Sequence, residues 1–166
     1  MKIFVTGKSG IGKTTLLKKI NEFCLKRGIT TCGFITKEVR ENNVRVGFTL
    51  VDLKTGESFD FASIFKETPY KFGKYFLDIE KFNTIIEDIF CQEGKVFILD
   101  EIGKMEFLSN RFKERLYSLL ESNKNIVASL HRDFIPDFKK YGKIYYLTYD
   151  NRDTVQEEIK KELMNI

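Results

Sequence analysis

An α/β fold, with a mainly parallel sheet held between layers of helices, is predicted by three features of the sequence. Four short apolar or β-branched runs, Ile3 to Thr6, Val96 to Leu99, Ile126 to Leu130 and Ile144 to Leu147, are strand-length and continuous. Continuous hydrophobicity is the pattern of strands buried on both faces. Helical spacing follows strand after strand, the order of elements that builds such sheets. One stretch, residues 33–62, alternates apolar with polar residues instead and reads as an antiparallel insert.

Taken in order, the first strand is followed by a helix with Leu16, Leu17, Ile20, Phe23 and Cys24 on one face and Lys18, Lys19, Glu22 and Lys26 opposite, stopped at Gly28. A second core strand, around Thr31 to Ile35, runs on into the insert. There Val44, Val46, Phe48 and Leu50 share a face between turn signals at Asn42-Asn43 and Thr55-Gly56, giving a hairpin. Pro69 and Gly73 mark a loop back to a helix beginning near Ile79, whose apolar face is Phe82, Ile85, Ile86, Ile89 and Phe90. Phe112, Leu116, Leu119 and Leu120 define another helix, and Val155, Ile159 and Leu163 the last.

With 166 residues and about 150 residues per domain, one domain is expected. The 28 Lys and Arg against 24 Asp and Glu leave +4, spread along the chain rather than gathered, so no nucleic-acid partner is expected. Cys24, Cys32 and Cys91 are odd in number and none lies in a C-x-x-C spacing, which argues against a disulfide framework or a cysteine zinc site. They read as small core residues, as do most of the sixteen phenylalanines. The first apolar run is shorter than a signal peptide's core, and no segment approaches a membrane-spanning length. The expectation is a cytoplasmic monomer with no membrane partner.

Gly7-Lys8-Ser9-Gly10-Ile11-Gly12-Lys13-Thr14 follows a strand, opens a helix and matches the phosphate-loop pattern of Gly, four residues, Gly-Lys-Thr. Glycines let the backbone approach closely, so that successive N–H groups and the helix N-terminus converge on phosphate oxygens. Lys13 supplies a charge to the β- and γ-phosphates, the Thr14 hydroxyl ligates Mg²⁺, and Thr15 completes the nucleotide-binding set.

Val96-Phe97-Ile98-Leu99-Asp100-Glu101 is an apolar strand ending in two acids at the end of the sheet where α/β proteins bind ligands. Asp100 is expected to serve the Mg²⁺ ion and Glu101 to orient or deprotonate the attacking water. Standing alone, such a strand end is as often a solvated acid; the phosphate loop is what makes it a site.

These residues carry a resemblance. The sequence resembles the small P-loop nucleoside triphosphatases of the thermophile type, a family that also includes the cancer-related nucleoside triphosphatase of animals. The likeness runs through the phosphate loop, Gly33 to Arg40 with Arg45, Gly47 and Phe48, Gly73-Lys74-Tyr75, Asp100 to Glu106 including Gly103, and Asn151-Arg152-Asp153. It implies a three-layer, RecA-like core of strand order 5-1-4-3-2. It also implies slow Mg²⁺-dependent hydrolysis of ATP, GTP, CTP, UTP or TTP to the diphosphate and phosphate, with Glu101 as base. The stretch from His131 to Tyr141 matches no block of the family.

Charge developing on the transferred phosphoryl group calls for a further cation. Arg40, Arg45, Arg132, Arg152 and Lys104 are candidates, with Lys104 favoured as catalytic because it follows the acids closely. For each, a solvated surface charge is the alternative. His131, the one histidine, lies where a γ-phosphate contact belongs or is a satisfied surface residue. Phe34, Phe48 or Phe72 can stack on a base.

Two rival functions remain at this level. Asp100-Glu101-Ile102-Gly103 satisfies the D-x-x-G of switch GTPases, but Asn123-Lys124-Asn125-Ile126 and Thr36-Lys37-Glu38-Val39 both lack the Asp of the guanine-reading element. A nucleotide or small-metabolite kinase needs an acceptor pocket and usually an arginine-rich lid. Here seven arginines are scattered, although Arg40 and Arg45 on the insert can serve an acceptor.

Overall fold

A computed structural model describes residues 1–166. All its strands join one sheet of nine, in the order β5-β6-β4-β3-β2-β7-β8-β1-β9. Five of them form the parallel core: β1 (Lys2–Thr6), the first half of β2 (Thr31–Glu41), β7 (Val96–Ile102), β8 (Asn125–Leu130) and β9 (Lys143–Tyr146). Numbered among themselves these five run 5-1-4-3-2, the expected order. Their burial explains their composition: Ile3 to Thr6, Val96 to Asp100 and Ile126 to Leu130 are buried residue after residue, because helices cover both faces.

On one face α1 (Lys13–Lys26) and α5 (Arg152–Leu163) pack Leu16, Leu17, Ile20, Val155 and Ile159 against Ile3, Val5, Ile98 and Val127. On the other, α2 (Ile79–Phe90) and α3 (Asn110–Glu121) pack Phe82, Ile86, Phe112 and Leu116 against Phe4, Phe34, Phe97 and Leu99. The apolar stripes read from the sequence are the buried faces of these helices. Asp78 and Ser109 cap α2 and α3 by accepting from Lys81 and Phe112 backbone N–H groups. A short helix, α4 (Ile135–Phe138), fills the stretch after β8 and buries Phe138 edge-on against Phe4.

The insert is larger than the sequence reading. β2 leaves the core after Ile35 and pairs antiparallel with β3 (Val44–Asp52) through Asn42 and Asn43, both at positive φ, as a tight two-residue hairpin turn requires. β4 (Ser58–Ser63) follows on the far side of β3. The segment read as a loop around Pro69 and Gly73 is instead a small hairpin, β5 (Tyr70–Phe72) and β6 (Tyr75–Leu77), paired to β4. Three-residue strands are too short to show a period, and Gly73 at positive φ is their turn. Two further readings need correction. Cys91 is exposed at the end of α2 rather than in the core, and Phe34 is fully buried among Phe82 and Phe112, so it has no face for a base.

Gly33 lies in the core half of β2, opposite Ile98 of β7. It adopts a φ of +114°, and a Cβ there would be driven into the Ile98 carbonyl on the neighbouring strand. Only glycine lets β2 and β7 approach this closely.

Candidate active site

The loop between β1 and α1 turns on Gly7, Gly10 and Gly12, all at positive φ. Side chains other than glycine pay a steric cost in that region, so the turn is written into the sequence. Unlike α2 and α3, α1 has no side-chain cap at its N-terminus, where Gly12 stands. Its first-turn N–H groups therefore face the crevice uncommitted to a capping side chain. Lys13 curls back over the loop, donating to the carbonyls of Gly7 at 3.1 Å and Lys8 at 3.2 Å. Ile11 is buried and anchors the loop to the α1 side of the core, while Lys8 and Ser9 are exposed on its rim.

Asp100 stands at the end of β7, only 1% exposed. Three hydroxyls donate to its carboxylate: Thr14 to Oδ2 at 2.7 Å, Ser129 to Oδ1 at 2.6 Å and Thr36 to Oδ2 at 3.3 Å. Burial pushes its carboxyl up, and the Ser129, Thr14 and Thr36 hydrogen bonds with the nearby Lys13 charge pull it back down. Glu101 follows, half-buried in the crevice wall. Burial raises its carboxyl too, against the pull of Lys13 and with the push of Asp100. A third acid, Glu106, is buried beside them, and its carboxyl is raised well above the usual range by burial and then by Glu101. Gly103 fits between the two glutamates: a Cβ there would come within 2.8 Å of both Glu101 Oε1 and Glu106 Oε2.

A cavity of about 680 Å³ opens in front of these groups. Its floor is Ser9, Gly10, Gly12, Lys13, Thr14 and Thr15; its far wall is built by the insert and the turn after β7. Lys104 lines it with its ammonium 2.7 Å from Asp133. Of the other proposed cations, Arg45 lines the cavity, held by Tyr75 Oη at 3.0 Å and Glu38 at 3.0 Å. Arg40 sits away from the cavity on the insert, paired with Glu38 and the Asn43 carbonyl. Arg152 reaches the opposite flank of the loop, its guanidinium 3.5 Å from the Ile11 carbonyl and over the Tyr149 ring. His131 lines the cavity, and its Nδ1 accepts from the Asp133 N–H at 3.2 Å. That bond leaves the proton on Nε2. Burial lowers the imidazole's pKa, Asp133 opposes the shift, and the charges of Lys104, Arg132 and Lys13 add to it. Phe48 and Phe72 line the cavity; Phe34 does not.

A strand-end carboxylate tied by hydroxyls to the first helix of a glycine-turn loop is the arrangement of a phosphate-binding enzyme. An NTPase family model matches residues 2–160. The chain belongs to this NTPase family. It is 39% identical over 167 residues to the nucleoside-triphosphatase THEP1 of Methanocaldococcus jannaschii, covering 99% of this chain and 98% of that one. The Pyrococcus abyssi nucleoside-triphosphatase THEP1 is 36% identical over 169 residues, covering 100% and 94%. Among solved structures, the crystal structure of THEP1 from the hyperthermophile Aquifex aeolicus superposes with a TM-score of 0.81 at 34% identity over 96% of each chain. The solution structure of a human cancer-related nucleoside triphosphatase gives 0.80 at 28% identity, covering 99% and 97%. The P-loop α/β fold and the antiparallel extension are thus those of the family.

Ser129, Thr36 and Glu106 were not assigned roles from the sequence. Ser129 lies inside an apolar strand, and nothing local says that it faces Asp100 across β8 and β7. Thr36 stands one residue past Ile35, the position of β2 that pairs with Asp100, and its approach to that carboxylate depends on a register the sequence does not show. Glu106 stands in the quoted Asp100 to Glu106 block, but its burial depends on the 3₁₀ turn it opens, Glu106–Leu108.

Proposed function

We propose that this chain is an Mg²⁺-dependent nucleoside triphosphatase of broad base specificity, hydrolysing the β–γ bond of ATP, GTP, CTP, UTP or TTP to the diphosphate and phosphate. The observation that carries the reading is the 2.7 Å bond between Thr14 and Asp100, with Glu101 the next residue along. The hydroxyl and carboxylate are hard oxygen donors suited to Mg²⁺, and Thr14 and Asp100 are the residues that would hold the ion. When bound, the ion neutralises charge on the β- and γ-phosphates.

The loop from Gly7 to Thr15 binds the phosphates through backbone N–H groups, with Lys13 exchanging its loop carbonyls for β- and γ-oxygens. Gly103, having no side chain, leaves room for the Glu101 carboxylate. Glu101 orients the water and takes its proton as the oxygen attacks the γ-phosphorus. Lys104, fixed by Asp133, and the Nε2–H of His131 face the charge that develops on the γ-oxygens. Selectivity among bases is weak, because the loop grips phosphate groups that all five triphosphates share. The residues 1–166 act as one domain, with the insert forming the wall of the site.

The test is phosphate release from each of the five triphosphates with no acceptor present. Comparable rates that vanish with EDTA are expected. Release from a single triphosphate would overturn the broad specificity, and release undiminished by EDTA the metal dependence.

A further inference from the structure

The in-line geometry of phosphoryl transfer fixes which way a bound nucleotide lies. The attacking oxygen approaches the γ-phosphorus from the side opposite the departing diphosphate. Glu101, which meets that oxygen in the hydrolytic reading, stands near the end of β7, with β2 and the insert on one side of it and β8, β1 and β9 on the other. The phosphate loop follows β1. The terminal phosphate therefore sits on the β7 side of the loop, and the nucleoside leaves toward β9, at the edge of the sheet opposite the insert.

The corner it meets there is tied to the phosphate loop. Leu147 is buried and its N–H donates to the Thr6 carbonyl at 2.9 Å, so the chain leaving β9 runs beside the start of the loop. Asn151 then closes the turn on itself: its Oδ1 accepts from the Thr148 N–H and its Nδ2 donates to the Tyr146 carbonyl, both at 2.8 Å. Arg152 reaches back until its guanidinium is 3.5 Å from the Ile11 carbonyl. The same group lies over the Tyr149 ring, 5.4 Å from its centroid. One face of the ring is thus backed by a cation fastened to the loop. The side chain is nonetheless 73% exposed, which leaves the other face open. A ring already held by a cation loses less freedom when a second ring stacks on it.

The aromatic side chains of the other flank stand on the wrong side for this task. Phe48 of β3 and Phe72 of β5 belong to the insert, the side from which the water attacks.

We propose that Tyr149, backed by Arg152, is the platform on which the base of the bound nucleotide stacks. The proposal rests on the hydrolytic reading, which sets the direction of the phosphates. Stacking uses the π-face that every base has and reads no base edge. The platform therefore adds affinity for purines and pyrimidines alike, in keeping with weak base selectivity. Arg152 is a positioning residue, holding the ring at the loop rather than touching the base.

The experiment measures the binding of ADP and of inorganic pyrophosphate, each with Mg²⁺, by calorimetry. ADP carries the base, pyrophosphate carries phosphates alone, and neither is a triphosphate. Tyr149→Ala is expected to weaken ADP about tenfold or more and to leave pyrophosphate within about twofold, whereas Tyr149→Phe binds both as the wild type does. Equal weakening of the two ligands, or of neither, overturns the platform and leaves the hydrolytic reading standing. ADP weakened in Phe72→Ala but not in Tyr149→Ala overturns the direction of the nucleotide as well. Wild-type protein that binds neither ligand overturns the hydrolytic reading together with the platform. Because the chain has no tryptophan, Tyr149→Trp supplies a readout independent of any loss of stability. ADP is expected to quench its emission by stacking and pyrophosphate to leave it unchanged; ADP bound at wild-type affinity with undiminished emission overturns the proposal.

Discussion

Thr14 and Asp100 lie 86 residues apart in sequence, yet the threonine hydroxyl donates to the aspartate at 2.7 Å. The bond locks the first turn of α1 to the end of β7 and sets two oxygen donors side by side. Replacing the carboxylate with an amide keeps the shape and removes the charge. Asp100→Asn should raise the Mg²⁺ concentration needed for half-maximal turnover about 10- to 100-fold, the range for lost support at a metal site. A magnesium titration of phosphate release checks this, and an unshifted midpoint would count against Asp100 as the ion's partner.

Ser129 is fully buried and gives Asp100 Oδ1 its hydrogen bond. Ser129→Ala leaves a buried carboxylate oxygen without that donor, a loss of about 1–3 kcal/mol. At about 2–4 °C per kcal/mol for a chain of this size, thermal unfolding should fall by several degrees. Thr36→Val should cost less, since its bond is longer at 3.3 Å and Oδ2 keeps Thr14.

Gly33→Ala should be the most damaging glycine substitution outside the phosphate loop. The added methyl meets a neighbouring backbone carbonyl rather than a movable side chain, at a φ that alanine avoids. The expected loss is about 3 kcal/mol or more, combining strain with displaced strands. Denaturant unfolding reads it directly, and a loss below about 1 kcal/mol would show that β2 yields easily.

Glu106 gives the protein a distinctive pH dependence. Its carboxyl is raised well above the ordinary value in the folded state, by burial and by Glu101. A carboxyl raised on folding contributes its stability fully below the unfolded value near 4.3, and loses it as pH rises through the folded value. Glu106→Gln removes that loss. Melting curves from pH 4 to 8 should therefore show the variant gaining on the wild type as pH rises and melting higher near neutrality. A variant that melts lower throughout would mean that the glutamate makes a stabilising ion contact.

The core was legible because its signals are local and strong. Runs such as Val96 to Leu99 need burial on both faces, and stripes such as Phe82, Ile85, Ile86 and Ile89 fit one helix face. The phosphate loop was legible because three backbone angles demand glycine there. Illegible were the features that depend on register or on brief elements. Tyr70–Phe72 and Tyr75–Leu77 are too short to alternate visibly, and the convergence of Thr36 and Ser129 on Asp100 is a property of strand order. Cys91 misled because it directly follows an apolar helix face that ends at Phe90.

The most direct test of the account compares Glu101→Gln with wild type in single-turnover hydrolysis of ATP, alongside nucleotide affinity measured by equilibrium binding. The amide keeps the shape of the side chain but cannot accept the water's proton. Binding within a few-fold of wild type, with the hydrolytic rate down by about 10²–10⁴, is the predicted result. A variant that hydrolyses ATP at the wild-type rate would contradict the role of Glu101 and the mechanism built on it.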